Sequence, residues 1–168
     1  MPDARKSAPV RIVDKTDAKV DVEDEHIGGG FNSIEEIHEA LPEFLKPQNL
    51  KDANGNRPNS PDYDPTTLLV PSHHFKTFTP AMKQYWTLKR DNFEKIFFFK
   101  LGKFYELFFQ DAIICQKILD LNWMGGAKKL HVGFPEKALD KYLSILVEHG
   151  FKVAVIEQTE TPRQLAER

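Results

Sequence analysis

Apolar and polar positions divide the chain into three stretches. Over residues 1–30, Asp, Glu, Lys and Val alternate without helical period, and Asp21-Val22-Glu23-Asp24-Glu25 runs into Gly28-Gly29-Gly30. That pattern predicts a disordered acidic tail closed by a flexible joint. Ser33 followed by Glu36 has the form of a capping box, with Ile34, Ile37, Leu41 and Phe44 at helical spacing behind it. Pro42 interrupts the run, so a short or kinked helix is expected over about 34–45. Pro47, Asn54-Gly55, Pro58, Pro61 and Pro65 mark a loop, and Thr66 to Val70 reads as a short extended piece.

The compact domain is expected from Phe75 onward, after a lead-in spanning 31–74. Thr79-Pro80 starts a helix, with a capping hydroxyl and proline at the first helical position. Met82, Tyr85, Trp86, Lys89 and Phe93 trace one face of that helix. Ile96 to Phe99 is a short apolar run bounded by charge, which predicts a buried strand that Gly102 breaks. A helical pattern follows from about Phe104 to Leu121, with Leu107, Phe108, Ala112, Cys115, Ile118 and Leu119 directed inward. Asn122 to Pro135 holds a strand or hairpin with the Gly125-Gly126 pair, and Glu136 to His149 is amphipathic, with Gly150 placed for a C-terminal cap. Phe151 to Ile156 is apolar on both alternations and predicts an internal strand. Strand, helix, strand, helix, strand is the order of an α/β layered domain.

Charge sharpens this division. Residues 1–74 carry 8 Lys+Arg against 14 Asp+Glu, while residues 75–168 carry 15 against 11, and 11 of the 13 phenylalanines lie in the second stretch. The overall charge of −2 thus conceals an acidic half and a mildly basic, core-forming half that can face a polyanion. No apolar run approaches the ~18 residues of a membrane-spanning helix, so no membrane partner is expected. The first residues lack the apolar stretch of a secretory signal, which places the chain in a cytosolic or nuclear setting. One cysteine, Cys115, excludes an internal disulfide and a multi-cysteine zinc site.

Catalytic patterns are not found. Cys115 sits inside an apolar helical stripe without an electropositive neighbour and reads as core. No two histidines stand at His-x-x-x-His, and His73-His74 falls in a predicted loop as a solvated pair. Pro61-Asp62 occurs, but no Asp/Glu-x-Lys follows it, and Gly28-Gly29-Gly30 lacks the Gly-Lys-Ser/Thr of a phosphate loop. The domain is therefore expected to be non-catalytic and to need no cofactor or metal. The informative segment is Phe99-Lys100-Leu101-Gly102-Lys103-Phe104-Tyr105-Glu106-Leu107. An exposed phenylalanine there, flanked by Lys100 and Lys103, would act as an apolar wedge between bases while the amines neutralise phosphates. On the alternative reading Phe104 staples a helix start, Glu106 favours the helix dipole and the lysines are merely solvated.

From Thr79 to Pro162 the sequence resembles the N-terminal mismatch-recognition domain of the MutS family. The resemblance rests on Thr79-Pro80-Ala81-Met82-Lys83-Gln84-Tyr85, Lys100-Leu101-Gly102-Lys103-Phe104-Tyr105-Glu106-Leu107-Phe108, Gly133-Phe134-Pro135-Glu136 and Gly150 to Gln158, in that order. The run Arg57 to Pro71, with Leu121-Asn122-Trp123-Met124 and Glu157 to Pro162, looks like the subfamily of the sixth eukaryotic homologue. The resemblance implies a mixed β-sheet flanked by helices over 75–162, with 163–168 beginning a linker to a connector domain. Lever, clamp and ATPase domains would lie outside these residues, so ATP and magnesium are implied only for the longer family protein.

The resemblance also implies roles. Phe104 matches the phenylalanine that enters the minor groove and stacks on a mispaired base, and Glu106 the glutamate that hydrogen-bonds that base. Met124 falls where a methionine supports the wedge, although Gly125-Gly126-Ala127-Lys128-Lys129 departs locally from the family. Lys100, Lys103, Lys128 and Lys129 are phosphate-contact candidates from charge and neighbourhood. The implied partners are mismatched double-stranded DNA and a second MutS homologue in a nuclear heterodimer. A competing expectation is a protein-interaction module of that heterodimer without direct mispair reading.

Overall fold

The computed structural model describes residues 10–13, 31–125 and 129–157. Five strands, β1 (Val10–Val13), β2 (Ile96–Leu101), β3 (Phe104–Phe108), β4 (His131–Pro135) and β5 (Val153–Ile156), form one sheet in the order β1-β5-β2-β3-β4. Only the β2–β5 pair is parallel, so the sheet is mixed. The helices are α1 (Ile34–Glu39), α2 (Ser72–Phe75), α3 (Pro80–Lys89), α4 (Phe109–Ile118) and α5 (Leu139–Glu148), with 3-10 turns at Glu43–Leu45 and Glu136–Ala138. The α/β class with helices flanking a mixed sheet is the architecture expected from the sequence.

β2 and β5 lie inside the sheet and are covered on both faces, which is why Ile96 to Phe99 and Val153 to Ile156 are apolar without alternation and fully buried. Their pleat feeds two cores. Phe97, Phe99, Ala154 and Ile156 pack with Tyr85 and Trp86 of α3, whereas Ile96, Phe98, Val153 and Val155 pack with Cys115 of α4 and Leu146 of α5. Lys89 ties the layers: its ammonium, 2% exposed, lies 2.8 Å from Asp111 Oδ2 on α4 and also donates to the Lys95 carbonyl. Asp111 accepts in addition from the Phe97 amide at 3.0 Å. Caps follow the sequence signals. Thr79 Oγ1 accepts from Met82 N, Ser33 Oγ from Glu36 N, and Gly150 adopts φ 88° after α5.

Several expectations are corrected. The segment from Phe104 is not helical at its start; it runs as β3 to Phe108, and helix begins at Phe109. Pairing with β2 on one side and β4 on the other satisfies its backbone, and the two-residue alternation Tyr105-in, Leu107-in outweighs the helical spacing. Phe109, at φ 57°, makes the change of direction. Thr66 to Val70 belongs to no strand, being held by Leu68 N to the Arg90 carbonyl and Leu69 N to the Lys51 carbonyl. His73-His74 lies in the short helix α2 rather than a loop, and the two ring centroids are 4.3 Å apart with the planes tilted by 39°.

The tail expectation fails at Val10–Val13, which pair antiparallel with β5 because that strand would otherwise offer an open edge. The remainder of 1–30 lies outside the described residues. The lead-in also does more than connect. Phe31, Ile37, Leu41, Phe44, Leu45, Leu68 and Val70 are buried in the same core as Tyr85 and Trp86.

Candidate nucleic-acid interface

The β2–β3 hairpin turns on two residues, Gly102 and Lys103, with Leu101 paired to Phe104. Gly102 takes φ 64°, the positive value a tight hairpin of this length demands at its first turn position. The turn delivers Phe104 to the end of β3 with 40% of its surface exposed. Large apolar side chains left exposed among the described residues are Ile12, Ile34, Leu69 and Phe104, so Phe104 is the aromatic one. Tyr105 points the other way into the core, and Glu106 returns to the face of Phe104, since side chains two apart in a strand share a face.

Opposite Glu106 in the register stands Gly133 of β4. A Cβ at Gly133 would lie 2.9 Å from the Tyr105 carbonyl oxygen, 3.1 Å from Met124 Sδ and 3.5 Å from Glu106 Cγ. The missing side chain thus leaves a space bordered by both the Met124 thioether and the Glu106 stem. Met124 is fixed there by its amide, which donates to the His131 carbonyl at 2.7 Å, and by the adjacent Trp123–Val132 bridge. Trp123 is in turn braced by Phe31 of the lead-in, ring to ring at 5.5 Å.

His131 completes the patch. Its ring stacks on Phe108 at 4.8 Å and 12°, and Nε2 lies 3.1 Å from Glu106 Oε1, an ion-pair distance off the line of a straight hydrogen bond. Nothing in the sequence argument singled out His131. The available signal was the alternation His131-out, Val132-in, Gly133-out, Phe134-in, which becomes readable only once Phe104–Phe108 is known to be the neighbouring strand.

The lysine candidates separate. Lys103 is exposed on the turn beside Phe104, and its carbonyl accepts from Glu136 N at 2.8 Å. Lys100 is on the opposite face, 3.0 Å from Glu136 and 3.5 Å from Glu157. The hydrogen bond to Glu136 leads in holding its ammonium above the usual lysine range, so Lys100 is committed to carboxylates and not grouped with Phe104. The same network engages Tyr105, whose hydroxyl donates to Glu157; burial and that bond push the phenol upward. Lys129 is exposed, and Lys128 lies outside the described residues.

Cys115 is buried, and desolvation raises its thiol well above the ordinary value, which suits a core position rather than a nucleophile. No group of three or more His, Cys, Asp or Glu able to hold a metal occurs among the described residues. What the patch offers chemically is one projecting ring, one carboxylate held beside it and an adjoining free ammonium, all carried on paired strands.

Comparison with known proteins gives the family of the chain. The family model described as MutS domain I matches residues 79–168. The probable DNA mismatch repair protein Msh6 of Drosophila melanogaster is 48% identical over 131 residues, covering 78% of this chain and 11% of that protein. DNA mismatch repair protein Msh6 of Homo sapiens is 41% identical over 147 residues, 85% of this chain and 11% of its own length. DNA mismatch repair protein MutS of Lysinibacillus sphaericus is 43% identical over 93 residues, 52% of this chain and 11% of its own. The chain therefore spans about a tenth of the length of these relatives.

Proposed function

The chain belongs to the MutS family, as its domain I, and from that premise we propose that it is the mispair-reading element of a nuclear, Msh6-like mismatch repair protein. Phe104 enters the minor groove and stacks at the mispaired step, Glu106 hydrogen-bonds the displaced base, and Met124 backs the carboxylate. Lys103 and Lys129 meet phosphates. The domain itself is a non-catalytic reader; a second MutS homologue as partner, and nucleotide chemistry, belong to the longer protein. The observation that carries the reading is the exposed Phe104 on a rigid two-residue hairpin, with Glu106 on the same face.

The physics suits a mismatch better than a base sequence. Prising a base step apart costs a few kcal/mol, and least where pairing is already defective, so an intercalating ring finds weak steps without reading base edges. A carboxylate near DNA is repelled by phosphate unless a displaced base offers it a donor, so Glu106 penalises intact duplex.

An NMR titration at low salt, with duplexes identical except for one G·T mispair, tests this. Resonances of Lys103 to Glu106 and Met124 should shift more with the mispaired duplex, and Phe104→Ala should abolish the difference while leaving weak, salt-dependent binding. Equal shifts from both duplexes, or a preference retained by Phe104→Ala, would reject the wedge.

A further inference from the structure

Glu106 does not stand alone on its strand, and the group that faces it is held more firmly than the carboxylate is. His131 sits diagonally across the β3–β4 ladder, in register with Phe108, two residues before Gly133. Its ring is clamped against Phe108 at 4.8 Å. Its backbone carbonyl receives the Met124 amide at 2.7 Å. On the Nδ1 side it abuts Gly125, where a Cβ would approach to 3.1 Å and where φ is 79°. Nε2 is buried with no aligned hydrogen bond, and the charged group it faces is Glu106 Oε1 at 3.1 Å.

A buried donor without a bond costs about 1–3 kcal/mol, and a small rotation of the Glu106 side chain removes that cost. The imidazole, wedged between a ring, a loop and a strand, is the fixed member of the pair. The carboxylate, on a stem with rotatable bonds beside the flexible thioether of Met124, is the movable one.

We infer that His131 is the positioning residue of the mispair contact, its imidazole Nε2 holding the Glu106 carboxylate in the orientation from which it meets a displaced base. The inference rests on the reading of Glu106 given above. One carboxylate oxygen turned toward Nε2 leaves the other for a donor on the base, so that the base bonds an already oriented acceptor and gives up less rotamer entropy.

The test is fluorescence anisotropy at low salt with labelled duplexes carrying a G·T mispair or none, applied to variants whose folding is verified by their amide spectra. His131→Phe keeps a ring on Phe108 and removes the N–H. It should cut the preference for the mispair by about fivefold, the worth of the one hydrogen bond that the turned carboxylate would make to Nε2. His131→Gln supplies an N–H donor again and should restore most of that preference. In a Glu106→Ala background, His131→Phe should change the preference by less than about 1.5-fold, because a residue acting through Glu106 has nothing left to act on. A wild-type preference in His131→Phe would overturn the inference alone. So would an equal loss with and without Glu106, which is the signature of a purely structural role. If Glu106→Ala itself keeps the full preference, the reading of Glu106 falls and the inference falls with it.

Discussion

Replacing Gly133 with alanine adds one methyl group at the point where β3, β4 and the Met124 segment converge. The added Cβ would stand 2.9 Å from the Tyr105 carbonyl oxygen, well inside ordinary van der Waals contact, and that oxygen belongs to a strand paired on both sides. Met124 Sδ, at 3.1 Å, ends a flexible side chain and can move; the strand cannot follow without breaking its ladder. Overpacking of this kind costs about 1–3 kcal/mol. The backbone of Gly133 needs no positive φ, so the whole penalty is steric. Chemical denaturation should show that loss at unchanged m-value, and the titration with G·T and matched duplexes should show a weakened mispair preference as Met124 is displaced from the space it shares with Glu106. A stability within about 0.5 kcal/mol of wild type, the range of an ordinary surface change, would refute the claim that the strand spacing excludes a side chain. Lost stability with unaltered preference would refute the claim that Met124 backs the carboxylate.

Two predictions concern the frame that carries the patch. Asp111→Ala leaves the Lys89 ammonium buried with its carboxylate partner gone, and urea denaturation should register a loss of about 3–5 kcal/mol; adding Lys89→Met should recover part of it. A loss below about 1 kcal/mol would mean that the pair is solvated in solution. Burial alone would raise the Asp52 carboxyl, but the amides of Asp64, Asn56 and Asn54 outweigh it and hold it below the ordinary 3.8. A carboxyl depressed in the folded state contributes stability above its unfolded value, and that contribution disappears as pH falls through the folded one. Thermal melts should therefore show Asp52→Asn less stable than wild type at neutral pH, with the gap closing below about pH 4; a gap independent of pH would count against the charged Asp52.

The strands and caps that rest on local chemistry were legible before the structure. Thr79-Pro80, Ser33 with Glu36, the unbroken apolar runs of β2 and β5, and Gly150 each act through neighbours in sequence, and each occupies its expected place. Phe104 to Leu107 reads as helix in the sequence because Leu107, Phe108, Ala112 and Cys115 also satisfy a helical period. The pairing with β2 on one side and with β4, some thirty residues on, on the other decides for a strand. Lys100 reads as a phosphate contact while its neighbours are Gly102 and Lys103, and ceases to when Glu136 and Glu157 arrive from distant segments. His131 and the contribution of Phe31 to the Trp123 brace are likewise tertiary facts with no local signature.

The strand matters for mechanism, because a wedge at a helix start and a wedge on a hairpin would work differently. A helix N-terminus frays, and it attracts any phosphate with its exposed amides. The hairpin here is joined to β4 through Phe104–Pro135 and backed by buried Tyr105 and Leu107, so its backbone has little freedom to yield. When a rigid ring meets a deformable duplex, the duplex supplies the distortion, and the free energy of binding records how easily that step deforms. Intact and mispaired steps differ by only part of the few kcal/mol that unstacking costs. A difference of about 1.4 kcal/mol gives a tenfold preference, which is the scale to expect from Phe104 alone. Any larger discrimination has to come from a term of opposite sign on the two duplexes. On the function proposed above, Glu106 would provide such a term, repelled by an intact duplex and satisfied by a displaced base, and its orientation on the face beside Phe104 would then have consequences beyond its own hydrogen bond.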